Sequence, residues 1–195
     1  MNVASLAPAI VEPLLRGRLG HPYVYVERCA STQRLLDEGA PEGAVAVAEE
    51  QTAGRGRLGR EWHAPSRTSI LASIVLRPRV PAPELPRLSL VAGNAVAAAL
   101  AGAAAVATTI KLPNDVLIEG KKVGGILAEA ADGRVVLGIG VNVNQLQDEL
   151  PAGTNATSLR IATGRKVERA PLLARILLEL ERGYDEWLSG FATSG

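Results

Sequence analysis

Residues Gly54–Arg60 read Gly-Arg-Gly-Arg-Leu-Gly-Arg, and no other stretch constrains the fold as strongly. Three glycines and three arginines cannot form part of a core, because glycine buries no side chain and arginine is rarely buried without a partner. Glycine lets backbone N–H groups converge on an anion, and arginine binds the same anion through paired hydrogen bonds. We therefore expect a loop that closes on a phosphate or a carboxylate. A flexible, solvated basic turn is the alternative interpretation.

The charge of the whole chain makes this basic loop a local feature. The 195 residues carry 21 Lys and Arg against 20 Asp and Glu, a formal net charge of +1. This balance argues against a general nucleic-acid or membrane-surface binder. Cys29 is the one cysteine and the two histidines are far apart in sequence, so we expect neither a disulfide framework nor a metal cluster. Without a secretory leader or an uninterrupted apolar run of about 18 residues, we expect a soluble, cytoplasmic, single domain over 1–195.

The order of the predicted elements indicates an α+β protein. Helices are expected after Ser31 or Thr32 up to Gly39, from about Pro83 to Gly102, and along an amphipathic face from Leu173 to Trp187. Strands are expected at 23–26, 45–48, 69–76, 108–112, 115–118, 122–129 and 134–143. Hairpin connections favour a mixed, largely antiparallel sheet with helices packed against it. Residues 54–59 have G-x-G-x-x-G spacing, but no helical pattern follows, so a dinucleotide-binding fold is not expected.

Three further polar clusters interrupt the apolar strands. They are Lys111–Asp115, in which Pro113 restricts the backbone, Lys122–Glu129 with its glycine pair, and Gly138–Asn144, a strand thinned by glycine. Each cluster alone could be structural, as surface lysines, an Asx turn or ordinary strand bends. Together with the arginine loop these clusters make four such features in one small domain, and this number favours a shared ligand site.

The order of these motifs resembles that of the biotin protein ligases, over residues 20–188. The resemblance is carried by Ser31-Thr32-Gln33, Gln51–Trp62, Lys111–Val116, Lys122–Glu129 and Gly138–Asn142. It implies the catalytic fold that biotin ligases share with class II aminoacyl-tRNA synthetases. It also implies two steps: ATP converts biotin to biotinyl-5′-AMP, and a lysine of a biotin carboxyl carrier domain of a carboxylase then takes the biotinyl group. Magnesium would enter on the ATP phosphates rather than in a site made by the protein alone.

The resemblance also implies roles for individual residues. Arg57, Lys122 and Asp115 would be catalytic: Arg57 retains the adenylate, Lys122 supplies positive charge at the carboxylate and α-phosphate, and Asp115 faces the incoming lysine. The biotin-binding residues would be Ser31, Thr32, Gln51, Gly54, Arg55, Lys122, Gly138 and Gly140. The nucleotide-binding residues would be Arg57, Arg60, Trp62, Lys111, Asn114 and Asn142, with Trp62 covering the adenine.

Departures from the family pattern define the remaining expectations. Gln33 stands where the family usually has Asn, and Leu112 replaces the usual Trp before Pro-Asn-Asp. The C-terminal β-barrel domain and the N-terminal DNA-binding domain are expected to be absent, so DNA is not an expected partner. Two subunits could pair through a sheet edge. A lipoate–protein ligase and a non-catalytic biotin-binding module are the alternative functions.

Overall fold

A computed structural model of the chain describes residues 5–192, and one seven-stranded sheet organises them. The strands are β1 (Tyr23–Cys29), β2 (Val45–Gln51), β3 (Ser69–Leu76), β4 (Thr109–Lys111), β5 (Asp115–Ile118), β6 (Lys121–Ala131) and β7 (Arg134–Asn142). Their order across the sheet is β1-β2-β3-β7-β6-β5-β4. The β1–β2 pair is parallel and every other neighbouring pair is antiparallel. The predicted α+β class with a mixed, largely antiparallel sheet is confirmed.

The two hairpins on the β6 side have turns of the same kind. Glu119-Gly120 joins β5 to β6, and Asp132-Gly133 joins β6 to β7. All four residues have positive φ, between 50° and 76°. A two-residue turn of this type follows the right-handed twist of the strands that it connects. These turns bring the glycine-rich halves of β6 and β7 side by side.

Two long helices cover the sheet. The α-helices are α1 (Pro8–Val11), α2 (Leu88–Ala104), α3 (Leu159–Thr163) and α4 (Arg169–Ala192). Helix α2 presents a buried face of small residues that includes Ala92, Ala95 and Ala99, and it packs against α4 and β6. Helix α4 buries Leu173, Leu177 and Leu180 in the same core. Alanine on α2 permits this close approach of helix to sheet and helix to helix.

The stretch Ala82–Ala104 also bears on the expectation that the chain does not meet a membrane. By length and composition alone it is apolar enough to span one. It contains α2, however, whose Leu88, Val96 and Leu100 are fully buried in the core of the domain. The core helix of a folded domain has the same composition, so this stretch is weak support for a membrane span.

The structure differs from the sequence-based expectations at two places near the N-terminus. The predicted helix from Ser31 or Thr32 to Gly39 is a short 3-10 turn, Thr32–Leu35. The turn ends because Leu36 is extended and its carbonyl accepts from the Arg134 side chain at 3.0 Å. The region before Tyr23, which shows no clear pattern, contains α1 and a 3-10 turn, Glu12–Leu14. The apolar Leu6, Val11 and Leu15 bury that region against the core.

Candidate active site

A cavity of about 390 Å³ lies over β3, β7 and β6, a volume within the range of small-molecule sites. The structure brings the predicted site residues together around it, with Gly54 as the exception. The predicted residues that line it are Ser31, Thr32, Gln51, Arg55, Arg57, Arg60, Trp62, Lys111, Asn114, Asp115, Lys122, Gly138, Gly140 and Asn142. They come from segments up to 111 residues apart in sequence, and the sheet order makes them neighbours.

Lys122 and Asp115 form the charged centre of the cavity. The Lys122 Nζ lies 2.7 Å from the Asp115 Oδ1, and the two side chains are 31% and 17% exposed. The residues stand on adjacent strands, Asp115 at the start of β5 and Lys122 near the start of β6. A β-bulge between Val116 and Leu117 shifts the register beside them. The site therefore holds one cation and one carboxylate in contact, each open to the cavity.

A pair of glycines makes the floor flat beneath Trp62. Gly125 of β6 and Gly140 of β7 are opposite each other in the sheet. A Cβ at Gly140 would lie 2.7 Å from the Trp62 ring, and one at Gly125 would lie 3.0 Å from it. The Lys122 Nζ is 5.5 Å from the centroid of the same ring, within cation–π range. The indole can rest on the sheet only because both positions lack a side chain.

At the opposite end of the cavity, hydrogen bonds fix which atoms face a ligand. The Thr32 N–H and hydroxyl both donate to the Gln51 Oε1, at 2.7 and 3.1 Å. The Thr32 hydroxyl is also 2.8 Å from that of Ser73, which is fully buried. Because the Gln51 oxygen is engaged by Thr32, the Gln51 Nε2 is directed elsewhere as a donor. This end therefore offers an amide donor beside two hydroxyl groups.

Gln33, one of the departures from the family pattern, also lines the cavity. Its Nε2 donates to the carbonyl oxygens of Leu127 and Val136, at 3.2 and 3.4 Å. Because both neighbouring groups are carbonyl oxygens, the side-chain atom that faces them must be the nitrogen, which can donate. The Gln33 Oε1 therefore points away from these two carbonyls. That buried oxygen has no hydrogen-bond partner among the described residues. It is available to accept a hydrogen bond from a ligand.

On the nucleotide side of the predicted site, the asparagines are held by buried backbone groups. The Asn114 side chain donates to the Ile126 carbonyl at 3.0 Å, and that of Asn142 donates to the Thr157 carbonyl at 3.0 Å. The Asn142 Oδ1 accepts from Gln145, whose amide also donates to Ser69. Both asparagine side chains are therefore fixed before any ligand binds.

A segment without a recognisable motif supports Lys122. The Lys122 N–H donates to the Asn155 carbonyl at 2.9 Å, and its own carbonyl accepts from the Thr157 N–H at 2.8 Å. The Asn155 side chain donates to the Gly120 carbonyl in the β5–β6 turn. Pro151, Thr154, Asn155 and Ala156 thus form one wall of the cavity. Local sequence carries no signal for this contact, because it depends on pairing with a distant strand.

The arginine loop crosses the cavity with most of its hydrogen bonds internal. A 3-10 turn, Arg57–Gly59, forms its tip, where Leu58 has a φ of 61° and is 80% exposed. The Gly56 N–H donates to the Arg60 carbonyl, which closes the turn. Gly54 is not among the residues that line the cavity. It accepts the Trp62 N–H, and a Cβ there would lie 2.4 Å from the Trp62 carbonyl oxygen.

A buried ion pair lies behind the arginine loop. Glu49, two residues before Gln51, is 2.7 Å from Arg169 at the start of α4, and both side chains are almost completely buried. Arg169 also donates to the Ser69 carbonyl, and Glu49 accepts from the Leu6 N–H. Through this pair, β2, β3, α4 and the N-terminal segment are joined directly beneath the site.

Cys29 is not among the residues that line the cavity. It lies at the end of β1 and is partly buried, and burial raises the pKa of its thiol. A raised pKa keeps the thiol protonated near neutral pH. The cavity is lined instead by cations, amides, hydroxyls, an indole, an imidazole and the carboxylates of Asp115 and Glu61.

The seven-stranded sheet with this cavity on it is the fold of a known family of protein ligases. Residues 25–145 match the Biotin/lipoate A/B protein ligase family, and the chain belongs to that family.

Curated relatives give the comparison more detail. Over 182 residues the chain is 42% identical to the bifunctional ligase/repressor BirA of Bacillus spizizenii, covering 88% of this chain and 56% of the relative. It is 44% identical over 151 residues to the biotin–[acetyl-CoA-carboxylase] ligase of Mycobacterium tuberculosis, covering 75% of this chain and 56% of the relative. The chain thus spans little more than half the length of these relatives.

Solved structures agree with the family. The biotin protein ligase from Aquifex aeolicus in complex with biotin and ATP has a TM-score of 0.78 and 34% identity, over 85% of this chain and 71% of that one. A mutant of that enzyme in complex with biotin has a TM-score of 0.76 and 33% identity, with the same coverage.

Proposed function

We propose that this chain activates biotin with ATP and transfers the biotinyl group to a lysine of a biotin carboxyl carrier domain of a carboxylase. The observation that carries the proposal is the Lys122–Asp115 pair in a cavity that the arginine loop covers. The first step needs a cation between two anions, and the second needs a carboxylate near an amine. This pair supplies both groups.

In the first step, a carboxylate oxygen of biotin attacks the α-phosphorus of ATP, and the bond to the pyrophosphate oxygen breaks. Two anions must approach each other, so fixed cations aimed at the developing charge lower the barrier. Lys122 holds the carboxylate and the α-phosphate, and Arg57 at the loop tip retains the adenylate. Arg55, Gly138 and Gly140 line the biotin pocket.

In the second step, the carrier lysine attacks the acyl carbon and AMP leaves. A lysine amine has a reference pKa of about 10.4 and is mostly protonated at neutral pH. A nearby carboxylate can orient that amine and take its proton. Asp115 has this role, and release from Lys122 on substrate binding frees its oxygen.

The ureido ring of biotin fits the polar end of the cavity. The Gln51 Nε2 donates to the ureido carbonyl, Ser31 and Thr32 complete that pocket, and the Gln33 Oε1 accepts a ureido N–H. Lipoate carries a dithiolane ring without N–H groups and would leave the Gln33 oxygen buried and unpaired. An unsatisfied buried acceptor costs about 1–3 kcal/mol, which favours biotin.

The nucleotide lies over Trp62 and near Arg60, Lys111, Asn114 and Asn142. Magnesium enters on the phosphates of ATP rather than in a site made by the protein alone. The metal, when bound there, screens the phosphate charge.

The remaining proposals concern the setting of the enzyme. The chain acts in the cytoplasm, without DNA or a membrane as partner, and two copies pair through a sheet edge. The strands at the edges of the sheet are β1 and β4.

An adenylation assay tests the proposal against its two alternatives. The chain is given Mg-ATP and radiolabelled pyrophosphate with biotin, with lipoate or with neither acid. Label entering ATP with biotin alone supports the proposal. Exchange with lipoate alone would assign a lipoate ligase, and biotin binding without any exchange would assign a non-catalytic biotin-binding module.

A further inference from the structure

One ion pair fastens the arginine loop to the far side of the cavity. The guanidinium of Arg55 contacts both carboxylate oxygens of Glu129, at 2.7 and 3.1 Å. Paired contacts of this kind give directional as well as electrostatic attraction. The Arg55 and Glu129 side chains are 49% and 37% exposed, so the pair lies at the open rim of the cavity.

The positions of the two residues in the sheet make this contact a bridge. Arg55 follows β2, whereas Glu129 is on β6, and β3 and β7 lie between those strands. Three strand spacings are about 14 Å, and the intervening strands carry the floor of the cavity. Among residues 5–192, the loop's other hydrogen bonds stay within it or reach only Trp62, two residues beyond its end: the Gly56 N–H donates to the Arg60 carbonyl, and the Trp62 N–H donates to the Gly54 carbonyl.

We propose that Glu129 is a positioning residue that latches the arginine loop over the bound adenylate. Glu129 acts through Arg55: it holds the Arg55 guanidinium at the rim of the cavity. The Arg55 backbone then remains beside the ligand. The inference rests on the proposed function, because it concerns retention of biotinyl-5′-AMP. A half-exposed ion pair adds little to the stability of the closed loop. The loop can therefore open again when the carrier lysine has to reach the adenylate.

The test measures how fast preformed biotinyl-5′-AMP leaves the protein. In Glu129→Gln the side chain keeps its size and one acceptor but loses its charge. We expect release to be about two- to fivefold faster than from the unmodified chain, the range that a half-exposed ion pair supports. The rate of adenylate synthesis should stay the same. Because salt screens exposed charges, the difference in release should shrink at about 1 M salt.

Glu179→Gln is the matched control. It breaks two ion pairs on α4, with Arg175 and with Arg182, whose side chains are 49% and 62% exposed. Release from this control should equal release from the unmodified chain. Equal release from Glu129→Gln and the unmodified chain at low salt would overturn the latch, as would equally fast release from both variants. Failure of the unmodified chain to form any adenylate would instead overturn the proposed function.

Discussion

Gly140→Ala tests whether the flat floor beneath Trp62 is needed for adenylate binding. The new Cβ would lie 2.7 Å from the indole, whereas carbon atoms pack best at about 3.5–4.0 Å. Gly140 is on β7, which is paired on both sides, with β3 and β6, so the backbone has little freedom to move. The ring must therefore withdraw by about 1 Å. Overpacking of this kind costs about 1–3 kcal/mol.

If Trp62 covers the adenine, the displaced ring should weaken binding of the adenylate by the same amount, about 5- to 150-fold. The assay is a fluorescence titration with a non-hydrolysable sulfamoyl analogue of biotinyl-5′-AMP. A Trp187→Phe background leaves Trp62 as the one tryptophan that reports. Emission from ligand-free Gly140→Ala should shift to the red, because the half-buried indole becomes more exposed to water.

Gly102→Ala provides the control for this experiment. Gly102 is on α2, and a Cβ there would meet no heavy atom within 4 Å. Alanine in a helix is favoured over glycine by up to about 1 kcal/mol, so this variant should be at least as stable and bind the analogue normally. Unchanged emission and unchanged affinity in Gly140→Ala would show that Trp62 does not need a glycine at position 140.

Four further substitutions test the other charged residues of the site and the ion pair behind it. Asp115→Asn should still form biotinyl-5′-AMP but transfer the biotinyl group at least about tenfold more slowly. Single-turnover transfer from preformed adenylate measures this rate, and an unchanged rate in folded protein would assign Asp115 a structural role only. Arg57→Gly should still make the adenylate but release it to solvent, whereas Lys122→Ala should slow adenylate synthesis. Equal retention of the adenylate by both variants in a filter-binding assay would contradict these separate roles of Arg57 and Lys122. Glu49→Gln removes the negative charge from the buried Glu49–Arg169 ion pair and should lower the free energy of unfolding by about 3–5 kcal/mol in urea denaturation. A loss below about 1 kcal/mol would show that the pair does not stabilise the fold.

Local patterns in the sequence are enough to predict the parts of the fold that depend on burial. The predicted strand Ser69–Leu76 has those bounds in the structure, because a continuous apolar run is buried on both faces. Strand Asp115–Ile118 also has its predicted bounds, since Pro113 and the Glu119-Gly120 turn limit it. Most of the candidate site could be located for a similar reason: its residues are in short motifs.

Contacts between distant segments could not be predicted in this way. The support of Lys122 by Asn155, and the pairing of Arg55 with Glu129, join residues more than 30 positions apart. Neither has a local pattern, because each depends on strand order and register. The helix expected up to Gly39 fails for the same reason, since extended Leu36 packs against distant strands and its carbonyl accepts from Arg134.

The most direct test of the central claim is mass spectrometry of a biotin carboxyl carrier domain. The domain is incubated with this chain, biotin and Mg-ATP, and with the same mixture lacking ATP as the control. If this chain is a biotin ligase, one lysine of the carrier gains the mass of one biotinyl group, and only when ATP is present. A carrier that keeps its original mass, while the chain is folded and the carrier is a substrate for another biotin ligase, would contradict it.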